Sequence, residues 1–436
     1  MEYEYDRAAS AINLMSNVTC GNMRGVQAAV AAGADLNGHP DLPCPPVMAA
    51  IIWDSVSMAK FLLELGADPN KPAENRVPFP DTDVVVMPGE RALHMAAKRG
   101  NVEIVRFLLG RAGTDPNAAD QTGGTPLMAA CTCKDNYAAV VRLLLKAGAD
   151  PALTEQDGFT AMHLVAQHGG HLDLVKMLYR RAPATLNSYS SAQGETPLFL
   201  ACANGHESMV YKLLSLGAIQ RDRCKICPLK GAIFKGYVGV VEMLLDEGIG
   251  VVGGPEVLPT ALYTALVYRQ AIILQMLLEA GEEDAPIWGG DGAPVLWANI
   301  ECNQKSLLHH AAGFCCPASV SVLLAEGADE AARNSAGRLP RDAIGVGLGR
   351  EQLPMDRGKE VAIRRMLRQG PAYRARSWAW PAREAGGGGG GGGGAVVSSQ
   401  PAAPNAPVGV RIFRPESDTT RRRLFVGLVG RYCQKN

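Results

Sequence analysis

The amino-acid sequence predicts an all-α solenoid of about nine or ten helix-turn-helix copies, followed by a low-complexity tail. Three observations lead there. A phrase of the form G-x-T-P-L-H-x-A-A recurs, as ERALHMAAKRGN from residue 90, GGTPLMAACTC from 123 and GETPLFLACANGH from 194. A closing phrase of the form L-L-x-x-G-A-D-x-N follows each, as FLLGRAGTDPN, LLLKAGADP and LLSLGA. The position of the Leu in T-P-L repeats as Val47, Leu93, Leu127, Met162, Leu198, Leu229, Leu262, Leu308 and Arg341, with gaps of 46, 34, 35, 36, 31, 33, 46 and 33. A near-constant period of this size marks a stack of supersecondary units that bury a shared core.

Taken in chain order, residues 1–37 read as an N-terminal capping repeat and 38–370 as the array. Within a copy, Thr-Pro starts the first helix, because proline's missing N–H has no intrahelical acceptor in the first turn. Thr125 and Thr196 are expected to cap it by accepting from a free amide of that turn. Small pairs such as Ala96-Ala97, Ala129-Ala130 and Ala311-Ala312 let neighbouring helices approach closely. Gly100, Gly205 and Gly236 suit the stop after that helix. The second helix repeats apolar residues at i, i+3 and i+4, as in Val140, Leu143 and Leu144 or Val240, Met243 and Leu244, which predicts one buried face. The turn that closes the copy places Gly33, Gly66, Gly148, Gly217 and Gly327 where positive φ is needed. The two gaps of 46 imply insertions near 71–88 and 284–302.

The wording and period resemble the ankyrin repeat family over about 20–370. The match is specific in the third to sixth copies and worn at both ends, as end copies with polar outer faces would be. The resemblance implies recognition of a protein partner through the concave face and the turn tips. Its variable first-helix positions fall on Ile52 and Trp53, Lys98 and Arg99, Thr132 and Cys133, Gln167 and His168, Ala203 and Asn204, Phe234 and Lys235, Val267 and Tyr268, and Gly313 and Phe314. Its turn tips fall on Gln121, Asp157, Phe159, Glu195, Arg223 and Ile226. From these, Trp53, Lys98, Arg99, Phe159, Arg223, Phe234, Lys235, Tyr268 and Phe314 are the candidate partner-binding residues. Trp53, Phe234, Tyr268 and Phe314 stand where solvent is expected, and aromatic residues are enriched at binding hot spots. Two readings stay open for them: a contact surface, or packing under the insertions and under each other.

Composition bounds the remaining possibilities. The 436 residues balance to zero net charge, but 371–436 holds ten Lys/Arg and three Asp/Glu. The tail is therefore basic and the body acidic. The opening MEYEYDRAAS is charged and no apolar run nears the roughly 18–20 residues of a membrane span. Eleven cysteines without a regular framework suggest free thiols in a reducing compartment. The chain is expected to be intracellular, cytoplasmic rather than nuclear, and monomeric. Nine consecutive glycines at 386–394 and the Pro/Ala-rich run after them make 381–410 a flexible linker. Residues 411–436 form a basic tail, read either as a docking peptide or as a solvated terminus. In 371–380, Trp378 and Trp380 suggest an extended segment that caps the last copy.

The sequence offers no catalytic, cofactor or metal set. Cys224 and Cys227 form C-x-x-C, but a structural zinc site needs four ligands and no second pair stands nearby. His94, His163 and His309 all occupy the H of T-P-L-H, which the resemblance assigns to hydrogen bonds between copies. His206 is again a repeat position, and His168 and His171 are expected to face solvent. Glu282, Glu283 and Asp284 read as a charged loop, not an acid/base pair. The polyglycine lacks the Lys-Ser/Thr of a phosphate-binding loop. The expectation is thus a non-enzymatic scaffold or adaptor that needs no cofactor and binds a protein of unknown identity. The alternative is association of the basic tail with nucleic acid or an anionic membrane, which the acidic body would oppose.

Overall fold

The computed structural model describes residues 2–39, 42, 44–79, 84–133, 136–191, 193–218, 227–248, 257–284, 287–288, 294–345 and 356–369. Helices come in pairs. Thr125 and Thr196 start theirs as expected, each hydroxyl accepting from the backbone amide three residues on, Met128 and Phe199. The pairs are α1 (Glu2–Thr19) with α2 (Met23–Ala31), α3 (Pro46–Ile52) with α4 (Val56–Glu64), and α5 (Ala92–Lys98) with α6 (Val102–Leu109). Next come α7 (Pro126–Cys131) with α8 (Tyr137–Lys146), α9 (Ala161–His168) with α10 (Leu172–Arg181), and α11 (Pro197–Ala203) with α12 (Glu207–Ser215). The last are α13 (Pro228–Lys235) with α14 (Val238–Asp246), α15 (Val257–Val267) with α16 (Ala271–Asp284), and α17 (Leu307–Gly313) with α18 (Pro317–Ala325). In a tenth copy the first helix shrinks to a 3-10 turn at Pro340–Ala343, and α19 (Arg357–Gln369) is the second helix.

The pairs stack in two layers. First helices contact first helices from α3 through α17, and second helices contact second helices from α4 through α19. Ala96, Ala97, Ala130, Ala201, Ala232, Ala311 and Ala312 are fully buried in the first layer. Small side chains let those helices approach closely. The second helices turn Val140, Val141, Leu144, Val240, Val241 and Leu244 fully inward. Leu143 and Met243, expected in the core, are only half-buried against it. The reason is angular: the residue after the first Val of each pair, not the one three on, completes the inward stripe.

Hydrogen bonds from one copy to the next hold the layers in register. His163 accepts from the Thr160 amide at Nδ1 (3.0 Å) and donates from Nε2 to the Glu195 carbonyl in the next copy (3.1 Å). His94 does the same between Arg91 and Gly124, and His309 between the Ser306 hydroxyl and the Arg338 carbonyl. The asparagines of the closing turns make a second row. Asn117 accepts from the Asp150 amide (2.8 Å) and donates to the Gly148 carbonyl (3.1 Å). Asn37 reaches Asp68, and Asn70 reaches Gly113. At the hairpin tips, the amides of Gln121, Gln156 and Ser191 donate to Pro88, Thr122 and Asp157. Gly158 permits that last approach: at φ +78, an added Cβ would lie 2.4 Å from the Ser191 nitrogen.

Both insertions carry short antiparallel hairpins. In the first, β1 (Val77–Pro78) pairs with β2 (Val85–Val86). In the second, β3 (Ile287–Trp288) pairs with β4 (Pro294–Val295), and β5 (Glu301–Cys302) pairs with β6 (Lys305–Ser306). Between them a 3-10 turn at Trp297–Asn299 buries Trp297. The ring packs where Gly281 has no side chain; a Cβ there would sit 2.8 Å from Trp297 Cδ1. Asn299 then bonds Gly327 and Asp329, taking the role of the closing-turn asparagine that the eighth copy lacks. The segments 371–380, 381–410 and 411–436, with Trp378 and Trp380, lie outside the described residues.

Burial lowers the pKa of His94 and of His163 to about 4, against the bonds to Gly124 and Glu195, which raise it. A folded pKa below the unfolded one means stability fully present above about pH 6.5 and lost as pH falls through about 4. Each imidazole then contributes roughly 3 kcal/mol at neutral pH. Burial raises the carboxyls of Glu90, Glu155 and Glu195, which act in the opposite sense. We therefore expect the melting-temperature gap between the native chain and His163→Gln to narrow from pH 7 to pH 4. A gap equal at both pH values would show that His163 does not titrate in that range.

Candidate functional site

The first-helix face is built where α13 and α15 end. Phe234 and Lys235 form the last turn of α13, and Tyr268 follows α15 directly. Core residues Ala232, Ile233, Ala265 and Leu266 fix the two helix ends. The rings of Phe234 and Tyr268 meet edge to face across two copies, with centroids 4.6 Å apart. They nevertheless remain 48% and 43% exposed. The Lys235 ammonium lies 5.2 Å from the Phe234 ring centre, within cation–π range. Trp53 is 42% exposed at the end of α3, five copies away. Arg99 is exposed after α5.

Other candidates are placed differently. Phe314 is not solvent-facing: it is 7% exposed, with His310 and Tyr263 against it at centroid distances of 6.0 and 6.4 Å. The second insertion brings that packing about, because His310 is itself held by the Cys302 carbonyl of β5 (2.9 Å). Lys98 is turned inward. It donates to the Val85 carbonyl (2.8 Å) and pairs with the buried Glu90 (3.4 Å), fastening the first insertion to α5. Glu90 Oε2 also accepts from the Met87 amide. Phe159 is half-buried, stacked on His163 at 5.3 Å. Arg223, Ile226 and Cys224 lie outside the described residues. Cys227 is buried at the start of α13. His171, expected in solvent, is half-buried, stacks on Tyr137 and donates to the Cys133 carbonyl. His168 is exposed.

Sequence reasoning missed a second feature of the same face. Lys305, His309, His310, Gly313, Phe314, Asn334, Ser335, Arg338 and Asp342 line a cavity of about 320 Å³ between α17 and the tenth copy. Its only signal in the chain was the doubled histidine of LLHH, of which His310 is the second. Burial lowers the His310 pKa, so the ring stays neutral.

Two hydroxyl–histidine contacts occur among the described residues, Thr160 with His163 and Ser306 with His309, both buried within the stack. No three His, Cys, Asp or Glu come together as metal ligands there. Burial pushes the thiols of Cys44 and Cys131 up to about 12, so both stay protonated and unreactive at neutral pH. No described helix is long and apolar enough to cross a membrane.

Comparison with known proteins agrees with this geometry. The model of ankyrin repeats in three copies matches residues 93–188 and 162–253, and the model of ankyrin repeats in many copies matches 47–109. The putative ankyrin repeat protein YahD of Escherichia coli (strain K12) is 31% identical over 147 residues, which are 33% of this chain and 67% of YahD. The chain belongs to the ankyrin repeat family. Other ankyrin relatives are covered less: human SMC5-SMC6 complex localization factor protein 1 is 36% identical over 110 residues, 25% of this chain and 10% of that protein. Caenorhabditis elegans ANK repeat-containing protein nipk-1 is 28% identical over 196 residues, with 30% of it covered. The crystal structure of the human ASB11 ankyrin repeat domain aligns with a TM-score of 0.43 at 21% identity, over 65% of this chain and 99% of that one.

Burial separates the aromatic residues of this ankyrin stack into two kinds. Phe234→Ala and Tyr268→Ala should each change stability by about 1 kcal/mol or less. Phe314→Ala should cost about 3–5 kcal/mol and Leu144→Ala about 2–5 kcal/mol, as cavities in a core do. Thermal melts of the four variants check the order; a Phe234 variant as unstable as the Leu144 one would make Phe234 a packing residue.

Proposed function

We propose that this chain is a non-catalytic scaffold or adaptor that holds a protein partner against its first-helix face and hairpin tips. Ankyrin repeats are generally protein–protein interaction modules, and the single observation that carries the reading here is the Phe234–Tyr268 pair. Two large rings stay half in water although a continuous core lies beneath them. Their backbones are fixed by buried neighbours, so little is lost in ordering them when a partner arrives. Aromatic residues on such a rigid surface suit binding hot spots. Arg99 and Trp53 offer further contact points along the same face, and the exposed tip residues Gln121 and Asp157 border it.

The charge surplus of 371–436 supports the second reading, in which the basic tail associates with nucleic acid or an anionic membrane. Affinity purification from the native cell separates the two. The full chain, a Phe234→Ala/Tyr268→Ala chain and a chain lacking 371–436 are compared by mass spectrometry. Protein partners should be kept by the truncated chain and depleted several-fold by the double substitution. Partners that survive the double substitution but vanish with the tail, together with salt-sensitive nucleic acid or lipid, would support the second reading instead.

A further inference from the structure

The first helices of this stack are short of carboxylates, while the second helices carry both signs. The eight first helices from α3 to α17 contain no aspartate or glutamate at all. Their cations are Lys98, Lys230 and Lys235, with Arg99 and Arg269 just beyond α5 and α15. The second helices of the seventh and eighth copies are the reverse: α14 and α16 carry acidic residues and no Lys or Arg. At the seventh and eighth copies the first-helix side therefore offers cations without carboxylates, whereas Asp54 stands just beyond α3. Lys98 is already paired with Glu90. Lys235 and Arg269 are exposed beside the Phe234–Tyr268 pair.

Arg269 follows Tyr268 directly in the chain. It adopts φ +58, in the left-handed region. The equivalent turn position is Gly100 (φ +67), Gly205 (φ +73) and Gly236 (φ +79) in three other copies, and Asp54 (φ +54) and Cys315 (φ +53) in two more. The turn thus tolerates a side chain in three copies, at a backbone cost that glycine avoids. In the described structure the arginine is exposed, at the rim of the aromatic pair. Further along the same face, Lys305 and Arg338 line the cavity of about 320 Å³, where Asp342 is occupied in accepting from the Leu339 amide.

We propose that the first-helix face of the seventh and eighth copies docks an acidic polypeptide segment bearing an apolar or aromatic anchor. The anchor lies on Phe234 and Tyr268, and the carboxylates face Lys235 and Arg269. This rests on the protein-recognition role proposed above and names the partner's chemistry. A polypeptide fits better than a nucleic acid because the tips of the fourth to sixth copies carry Asp120, Glu155, Asp157 and Glu195. Those carboxylates would repel a continuous phosphate backbone, whereas a peptide can place its charges only where cations await.

The test is selection of a random-peptide phage library on the full chain, on Arg269→Gly, on Lys235→Glu and on Phe234→Ala/Tyr268→Ala. Peptides enriched on the native chain should be net acidic and carry an aromatic or large apolar residue. A synthetic copy of an enriched peptide should bind Arg269→Gly and Lys235→Glu about tenfold more weakly, and less tightly at high salt. Arg269→Gly should not lower the melting temperature, since it relieves the backbone. Enrichment of neutral or basic peptides, or acidic ones indifferent to both charge substitutions, would overturn the proposal while leaving the recognition face standing. Peptides equally enriched on the double aromatic variant would instead remove the face itself. A single-stranded oligonucleotide that outbinds the peptides and is lost with Lys235→Glu would assign this face to nucleic acid and overturn the proposal.

Discussion

Each copy of this protein leaves backbone groups that only its neighbour can satisfy, and the rest of the structure follows from that shortage. A buried polar group without a partner costs as much as a lost hydrogen bond. His163 meets the need by spanning from its own helix start to the Glu195 carbonyl of the next copy, and Asn117 by bonding both Gly148 and Asp150. The same arrangement requires His163 to be neutral, because Nδ1 must accept and only Nε2 carries hydrogen. Burial supplies that protonation state by lowering the pKa. Packing, register and proton balance are thus one constraint, repeated at His94, and His309 makes the same span from the Ser306 hydroxyl to the Arg338 carbonyl.

The insertions obey this rule instead of interrupting it. Where the eighth copy has no closing-turn asparagine, the chain leaves the stack, forms a hairpin, buries Trp297 over Gly281 and returns Asn299 to the vacant bonding position. The first insertion is tied down differently. Its Val86 enters the core, and its backbone is fastened by Lys98 and the buried Glu90. Lys98 thereby leaves the set of residues free to meet a partner. The side chain that resembles a contact residue by register serves as a clamp in space.

Some side chains on the first-helix face have no internal use in the stack. Phe234 and Tyr268 satisfy each other by edge contact yet stay half in water, and Lys235 lies over one of the rings. Beside them, α13 and α15 carry no carboxylate, and Lys235 and Arg269 are exposed. Phe314, by contrast, is drawn into the Tyr263–His310 cluster and lines a cavity, so its ring contributes shape more than exposed area.

The sequence alone determined the copy, its period and the roles inside it. Thr caps, glycine turns, the linking histidines and the Val-Leu stripes are set by contacts a few residues apart or one period apart, and such contacts leave a local, repeating pattern. It also placed Trp53, Phe234, Tyr268 and Phe314 at positions where solvent is expected, leaving contact surface and packing both open. What the tertiary structure decided were the departures from period. Phe314 is covered and Lys98 is engaged because each meets residues set by an insertion, at no regular spacing, while His171 meets Tyr137 one period back, with its bond to Cys133 recurring at His206 and Gln167. Asn299 replaces a missing asparagine from an irregular position for the same reason. The left-handed strain at Arg269 likewise needed coordinates, since an arginine after a helix reads as ordinary until its φ is known.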